Sequence, residues 1–441
     1  MGTKNLFGKP IGLFMLLWSM GSIIAQNNLI PSTQDCSGTR SDFAFTIQSA
    51  WTSNTGNNIN TLQSVFAGDI DGDGVTEILC MNYNANSIYI FDGRTGAVAG
   101  TLALGVQVAS SGYWDPMLIC DIDSNKRAEI FVVGDNSNPI VRLYEVSSAP
   151  GVRPMTFTTV WSHSYPTTTS PSSYSNTMPV VADLDGNGTP EFIAGNHIIN
   201  SRTGLSLAQL AFAGVGSWIS FPLAVDLDHD GLPEVVVGTN VYKYNTGQSG
   251  LLSPWRTCPG IAQQDGVNMA GDINDDGEID LAFVSRSGGL VKVWTPSTNT
   301  DLGTVVSNVG SLPSYPFVGD IDGKVEPNGK KYLEVIVNTA NNLRAYYYNG
   351  AGFTPKWVLP HSDNSGATAM TLFDFNNDGV VEIVYRDQSY LRIFDGRGGS
   401  PRTYNARYSL RVGYRYGMSY RSGCKWRWKR RYCCDRTPYH G

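Results

Sequence analysis

The sequence predicts an all-β protein, a β-propeller of seven four-stranded blades, and three observations predict it. An acidic motif recurs seven times, with its first aspartate at Asp69, Asp121, Asp183, Asp226, Asp272, Asp320 and Asp374, a spacing of 43 to 62 residues. Short apolar runs of strand composition flank the copies, as in Phe221-Pro-Leu-Ala-Val225 before one and Glu234-Val-Val-Val-Gly238 after it. Charged residues are only 16% of the chain, and 48 glycines accompany them, a balance low for a helical protein and ordinary for a turn-rich all-β one.

Each element of the repeat follows from its residues. The run before the motif is a first strand, and the motif is the loop that follows. The β-branched run after it is a second strand. An alternating third strand ends in a turn, as in Ser87-Ile-Tyr-Ile-Phe-Asp-Gly-Arg-Thr-Gly96 and Leu391-Arg-Ile-Phe-Asp-Gly-Arg-Gly398. Asp-Gly between strands signals a hairpin, because Gly accepts positive φ without steric cost. A fourth strand often carries Trp, at Trp51, Trp161, Trp255 and Trp357. Four short strands per period make a propeller blade.

The motif has the chemistry of a calcium loop. Calcium takes six to eight oxygens at roughly 2.3–2.6 Å. Acidic or amide side chains at positions 1, 3 and 5 aim at one point, position 7 adds a carbonyl, and a carboxylate at position 9 closes the shell. The intact copies supply Asp69, Asp71, Asp73, Val75 (carbonyl) and Glu77; Asp183, Asp185, Asn187 and Glu191; Asp226, Asp228, Asp230 and Glu234. Asp272, Asn274, Asp276 and Asp280 form the fifth, and Asp374, Asn376, Asp378 and Glu382 the seventh. An EF-hand places its acid at position 12, where Cys80, Val237, Phe283 and Tyr385 stand here. Asp and Asn also build metal-free Asx turns, but recurrence at the same positions favours ligation. Copy two carries Lys126 in place of the position-6 Gly, and copy six is split by Lys324-Val-Glu-Pro-Asn-Gly-Lys-Lys331 ahead of Glu334, so these two are set apart from the intact copies. Clustered carboxylates repel until a cation arrives, so several calcium ions are expected to be structural and coupled to folding.

These motifs resemble the FG-GAP (VCBS-type) repeats of bacterial secreted proteins, related to the blades of the integrin α-chain propeller, over about residues 45–400. The resemblance implies extracellular binding or cell adhesion. Some rhamnogalacturonan lyases also resemble this calcium-bearing propeller, so a polysaccharide-degrading enzyme is the alternative. With five His in the chain and His229 inside a motif, and with no Gly-x-Ser-x-Gly or His-Glu-x-x-His, the enzyme reading is the weaker.

Lys4 and Lys9, an apolar run from Ile11 to Ile24 and small Ala25 read as a signal peptide over 1–25. A lead-in over 26–45 and the propeller over 46–406 follow, and no second apolar stretch is long enough to span a bilayer. The expected location is secreted, extracellular or at the cell surface. Residues 26–406 hold 37 Asp and Glu against 20 Lys and Arg, a net of −17 that argues against nucleic acid. The expected partner is a carbohydrate or protein, on the face opposite the acidic loops. That face would carry Tyr113, Trp114, Asp115, Tyr165, Tyr174, Trp218, Tyr315, Gln263, Gln264, His361 and Asp363. Asn82, Asn84, Asn136, Asn196, Asn240, Asn341, Asn342, Arg386 and Asp387 join them. Aromatics with amides suit such surfaces.

Composition breaks at about Arg407: residues 407–441 hold ten of the 32 Lys and Arg and three of the seven Cys. A basic binding tail is one reading. A frameshift is preferred, because the single Trp codon makes Trp426 and Trp428 read as Gly-x-Gly one base forward. One allowed codon set for Arg421 to Cys434 then reads Val-Ala-Asp-Val-Asn-Gly-Asp-Gly-Lys-Glu-Asp-Ile-Val, an eighth motif.

Overall fold

The computed structural model describes residues 65–82, 86–105, 117–134, 140–164, 178–211, 221–285, 289–307, 316–339, 341–363, 370–374, 379–386 and 391–398. The expected signal peptide, the lead-in, Trp51 and the basic tail with its out-of-frame motif lie outside them. The described residues form seven sheets and no helix.

Blade one sets the pattern: strands Phe66–Gly68, Glu77–Asn82, Ser87–Asp92 and Val98–Ala103 pair antiparallel in chain order. Blades two, five and six repeat it. Blade three gains a fifth strand, Gly250–Leu252, which pairs parallel with Ser206–Leu210. That strand comes from the connection within blade four, whose own outer strand is only Arg256–Thr257. Blade seven has three described strands.

The register fixes the loops. In every blade the position-9 acid lies opposite the residue that precedes the first aspartate, as in Gly68↔Glu77, Cys120↔Glu129 and Gly319↔Glu334. Both ends of each loop are therefore clamped by one ladder pair, whatever the loop's length.

The second strands are buried on both faces, which is why they read as continuous apolar runs. Successive side chains go to different neighbours: Val235 and Val237 pack in a cluster with Ile193 and Tyr242, while Val236 packs with Leu281 and Trp294. The core is thus a series of clusters between consecutive blades. Stacked Phe131 and Phe192, with centroids 4.2 Å apart, join blades two and three.

The outer-strand tryptophans reach the next blade. Trp161 Nε1 donates to the Ser201 carbonyl at 2.8 Å, and Trp357 Nε1 donates to the Gly396 carbonyl at 2.9 Å. The turns they meet correct one expectation. The Gly of Asp-Gly is not the positive-φ residue: Gly93 donates its N–H to Thr76 O, and a Cβ there would sit 2.3 Å from that oxygen. Close approach to the backbone excludes a side chain, and the left-handed position falls later, at Gly96 with φ 72°.

Candidate metal centres

The acidic loops share one network of hydrogen bonds. One oxygen of the position-9 acid accepts the position-2 N–H: Ile70 to Glu77 at 3.0 Å, Ile122 to Glu129 at 2.9 Å, and Leu184 to Glu191 at 2.9 Å. Leu227 to Glu234, Ile273 to Asp280 and Ile321 to Glu334 follow at 2.7, 2.9 and 3.0 Å. Position 1 accepts the position-6 N–H at 2.8–2.9 Å in loops one to five and seven, as from Gly74 to Asp69 and from Gly379 to Asp374. The side chain at position 5 accepts the position-7 N–H, as from Val75 to Asp73 at 2.8 Å. These bonds orient the carboxylates before any ion is considered.

The two copies set apart from the intact ones are built like the others. Lys126 takes the left-handed conformation of the Gly it replaces, φ 72° against 81° at Gly74. The insertion in copy six forms its own turn, with Gly329 N–H donating to Glu326 O, and the ladder still brings Glu334 back. Three carboxylate oxygens lie within 4.8 Å of one another in Asp69/Asp71/Glu77, Asp121/Asp123/Glu129, Asp183/Asp185/Glu191, Asp226/Asp228/Asp230 and Asp320/Asp322/Glu334. Loop five gathers Asp272, Asn274, Asp276 and Asp280, with Asn274 Nδ2 donating to Asp276 at 2.9 Å. In loop seven Asp374 and Glu382 are described, whereas Asn376 and Asp378 lie outside the described residues.

Position 4 is a second left-handed residue that the motif reading missed, at Gly72, Ser124, Gly186, His229, Asp275 and Gly323 with φ from 53° to 77°. Its signal was present, since Gly, Asp and His are enriched in that conformation.

Burial dominates the electrostatics. It pushes the Glu77, Glu129, Glu191, Glu334 and Asp280 carboxyls up to about 7 against their backbone hydrogen bonds, and like-charged neighbours within each loop add to the rise. A cation reverses that preference. The decisive atom is the other oxygen of the same acid. In loop three Glu191 is fully buried and its Oε1 has no hydrogen-bond partner, among groups placed for ligation. A buried charged oxygen left unpaired is costly, so the residues fit a hard divalent cation. Asp183, Asp185 and Glu191, with Asn187, would hold it.

Three basic residues were missed. Arg153, from the blade-two loop, reaches Asp71 at 2.5 Å, Glu77 at 3.0 Å and Asp73 at 3.2 Å. Lys243 reaches Asp228 at 2.5 Å, Asp230 at 2.9 Å and Glu234 at 3.2 Å. Lys356 reaches Asp322 at 2.5 Å and Glu334 at 2.6 Å. They lie at three different places in a blade, so no repeat position announced them.

Neighbouring loops touch. Ala128 N–H donates to Asp69 O at 3.3 Å, and His229 Nε2 lies 3.1 Å from Gly277 O. The copy-six insertion covers loop five, where Lys330 Nζ donates to the carbonyls of Asn274 at 3.2 Å and Asp275 at 2.9 Å.

Among the residues proposed for the ligand face, Asn196, Gln263, Gln264 and Asn342 are half-buried and Asn341 is exposed. Asn82, Asn240, His361 and Asp363 are buried. Asn240 Nδ2 donates to the Tyr242 hydroxyl at 3.0 Å, and Tyr385 OH donates to Asp363 at 2.8 Å. They brace the blades. Tyr113, Trp114, Asp115, Tyr165, Tyr174, Trp218, Tyr315, Asn84, Asn136 and Asp387 lie outside the described residues.

Seven sheets, each with an acidic loop between its first and second strands, define a propeller-like all-β fold. A family model described as FG-GAP-like repeat matches residues 69–132 and 328–385, and the described residues form an all-β, propeller-like fold. No curated protein matches the sequence. Among solved structures, the exotype rhamnogalacturonan lyase YesX is 14% identical, covering 74% of this chain and 59% of its own, with TM-score 0.47. The V. cholerae biofilm matrix protein Bap1 is 16% identical, covering 77% and 68%, with TM-score 0.36. An Agrocybe aegerita lectin recognising non-reducing terminal N-acetylglucosamine is 16% identical, covering 70% and 82%, with TM-score 0.39. The chain thus spans about three fifths of the lyase, and likenesses this distant carry no argument about activity.

Proposed function

We propose that the chain is a secreted, calcium-binding FG-GAP repeat propeller that serves as an extracellular binding or adhesion module for a carbohydrate or a protein. The observation that carries the reading is the unpartnered, fully buried Glu191 Oε1 beside Asp183 and Asp185. Calcium bound there supplies positive charge that neutralises the loop and fixes the turn between first and second strands. The chain's own residues do the rest: the ladder clamps each loop base, and the inter-blade clusters hold the blades in series.

Binding rather than catalysis fits the polar groups away from the loops. His361 Nε2 lies 2.9 Å from Asn338 Oδ1, the Asp363 N–H donates to His361 Nδ1 at 3.1 Å, and Asp363 accepts from Tyr385. All four residues are buried and hydrogen-bond to one another. Melting curves in calcium and in EGTA test the metal, and identical curves refute it. Glycan-array and surface-protein binding test the module, whereas release of unsaturated uronides from rhamnogalacturonan would establish the lyase instead.

A further inference from the structure

The three basic residues in the acidic loops occupy equivalent atoms. Arg153 engages loop positions 3, 5 and 9, through Asp71, Asp73 and Glu77. Lys243 engages the same three positions, through Asp228, Asp230 and Glu234. Lys356 engages positions 3 and 9, through Asp322 and Glu334; position 5 of that loop is Lys324. In each case the cation takes the position-9 oxygen that faces the loop centre, the other oxygen being held by the position-2 N–H. A divalent ion needs those same oxygens, and two cations cannot share them at close range.

The three arrive by unrelated routes. Arg153 comes from the neighbouring blade, on a segment tied to blade one by the Met155 N–H donating to Ala99 O at 2.7 Å and by the Gly151 N–H donating to Asp71 at 2.9 Å. Lys243 directly follows the third strand of its own blade, with its ammonium 4.8 Å from the Trp255 ring centre. Lys356 stands on the outer strand Phe353–Pro360. Three independent placements on one set of atoms identify a shared electrostatic demand.

The other loops differ. Among the described residues no ion pair reaches loops two, three or five. The facing oxygen of Asp280 accepts from the Thr295 hydroxyl at 2.6 Å in loop five. In loop three that oxygen is unpartnered, and the group reaching across from blade four is the neutral Thr246 hydroxyl, 3.1 Å from Asp185.

We propose that Arg153, Lys243 and Lys356 are resident cations standing in for the divalent ion in loops one, four and six, leaving external calcium to loops such as three, where no described residue takes that place. The proposal rests on the calcium reading above. It also revises the sequence expectation, since loops one and four have complete ligand sets and are nonetheless closed. Loop four is the least completely closed, because Asp226 Oδ1 and Asp228 Oδ1 remain without hydrogen-bond partners beside Lys243.

The test is calcium stoichiometry by native mass spectrometry, on the full chain and on Arg153→Gln, Lys243→Gln, Lys356→Gln and Glu191→Gln. Each of the first three is expected to gain one calcium ion, their triple combination three, and Glu191→Gln to lose one. A variant that unfolds in EGTA but refolds with one added calcium supports the proposal equally, because the ion has replaced the side chain. An unchanged count in all three charge-removal variants, with Glu191→Gln still losing an ion, overturns the resident cations and spares the calcium reading. If neither the parent chain nor any variant binds calcium, the calcium reading itself falls.

Discussion

The Trp357 indole donates to the carbonyl of Gly396, 2.9 Å away, across the boundary between blades six and seven. The same ring lies beneath Gly398, where an added Cβ would stand 1.8 Å from Cδ1 at φ 57°.

Gly398→Ala therefore combines a left-handed alanine with overpacking. It is expected to cost about 3 kcal/mol. Trp357→Phe removes the donor and trims the ring, at about 1–2 kcal/mol. Urea denaturation of both variants checks the order, and equal losses would contradict the packing argument.

Lys126 offers the opposite change. It holds a left-handed conformation that its counterparts in other loops fill with Gly. Lys126→Gly is expected to stabilise the chain by about 0.5–1 kcal/mol, the relief of strain exceeding the added unfolded-state entropy. A rise in the denaturation midpoint at unchanged slope is the expected result.

Calcium at 100 times its dissociation constant should stabilise the fold by about 2.7 kcal/mol per site. The increment should shrink in Glu191→Gln, whose neutral amide loses the facing charge. Thermal melts across a calcium series measure both.

His197 gives a pH dependence independent of the loops. Burial pushes its imidazole down to about 4, and its Nδ1 lies 2.8 Å from Ser206 Oγ. The unfolded chain takes up a proton near the ordinary value of about 6.5, whereas the folded chain refuses it until about 4. Stability is therefore full above the upper value and falls as pH drops toward the lower one, by about 3 kcal/mol. His197→Asn should flatten the melting temperature between these limits; an unchanged slope would assign the acid loss elsewhere.

Much of this was legible in the sequence. Seven acidic motifs at blade spacing located the loops, and the apolar runs around them became paired strands. Trp161 and Trp357 lie on outer strands as expected. What failed depended on distant partners. Glu334 looked stranded by its insertion, yet the ladder pair with Gly319 returns it to the loop. Arg153 is 76 residues from Glu77 in sequence, and only the packing of two blades brings them together. Asn240 and His361 looked like surface polar groups, and the hydrogen-bonded networks that bury them have no linear pattern. The fifth strand of blade three came from a segment whose neighbours in sequence belong to blade four.

The contacts between adjacent loops mean that the acidic centres are not separate beads. Asp69 accepts from the loop after its own, His229 leans on Gly277, and Lys330 caps loop five from copy six. Each of these contacts joins a loop held by its own basic residue to one that is not, so an ion in loop two or five would rest against backbone already braced by the chain's own cation. The acidic face would then be part-set by the chain itself, its built-in cations serving as fixed abutments between which the calcium loops close.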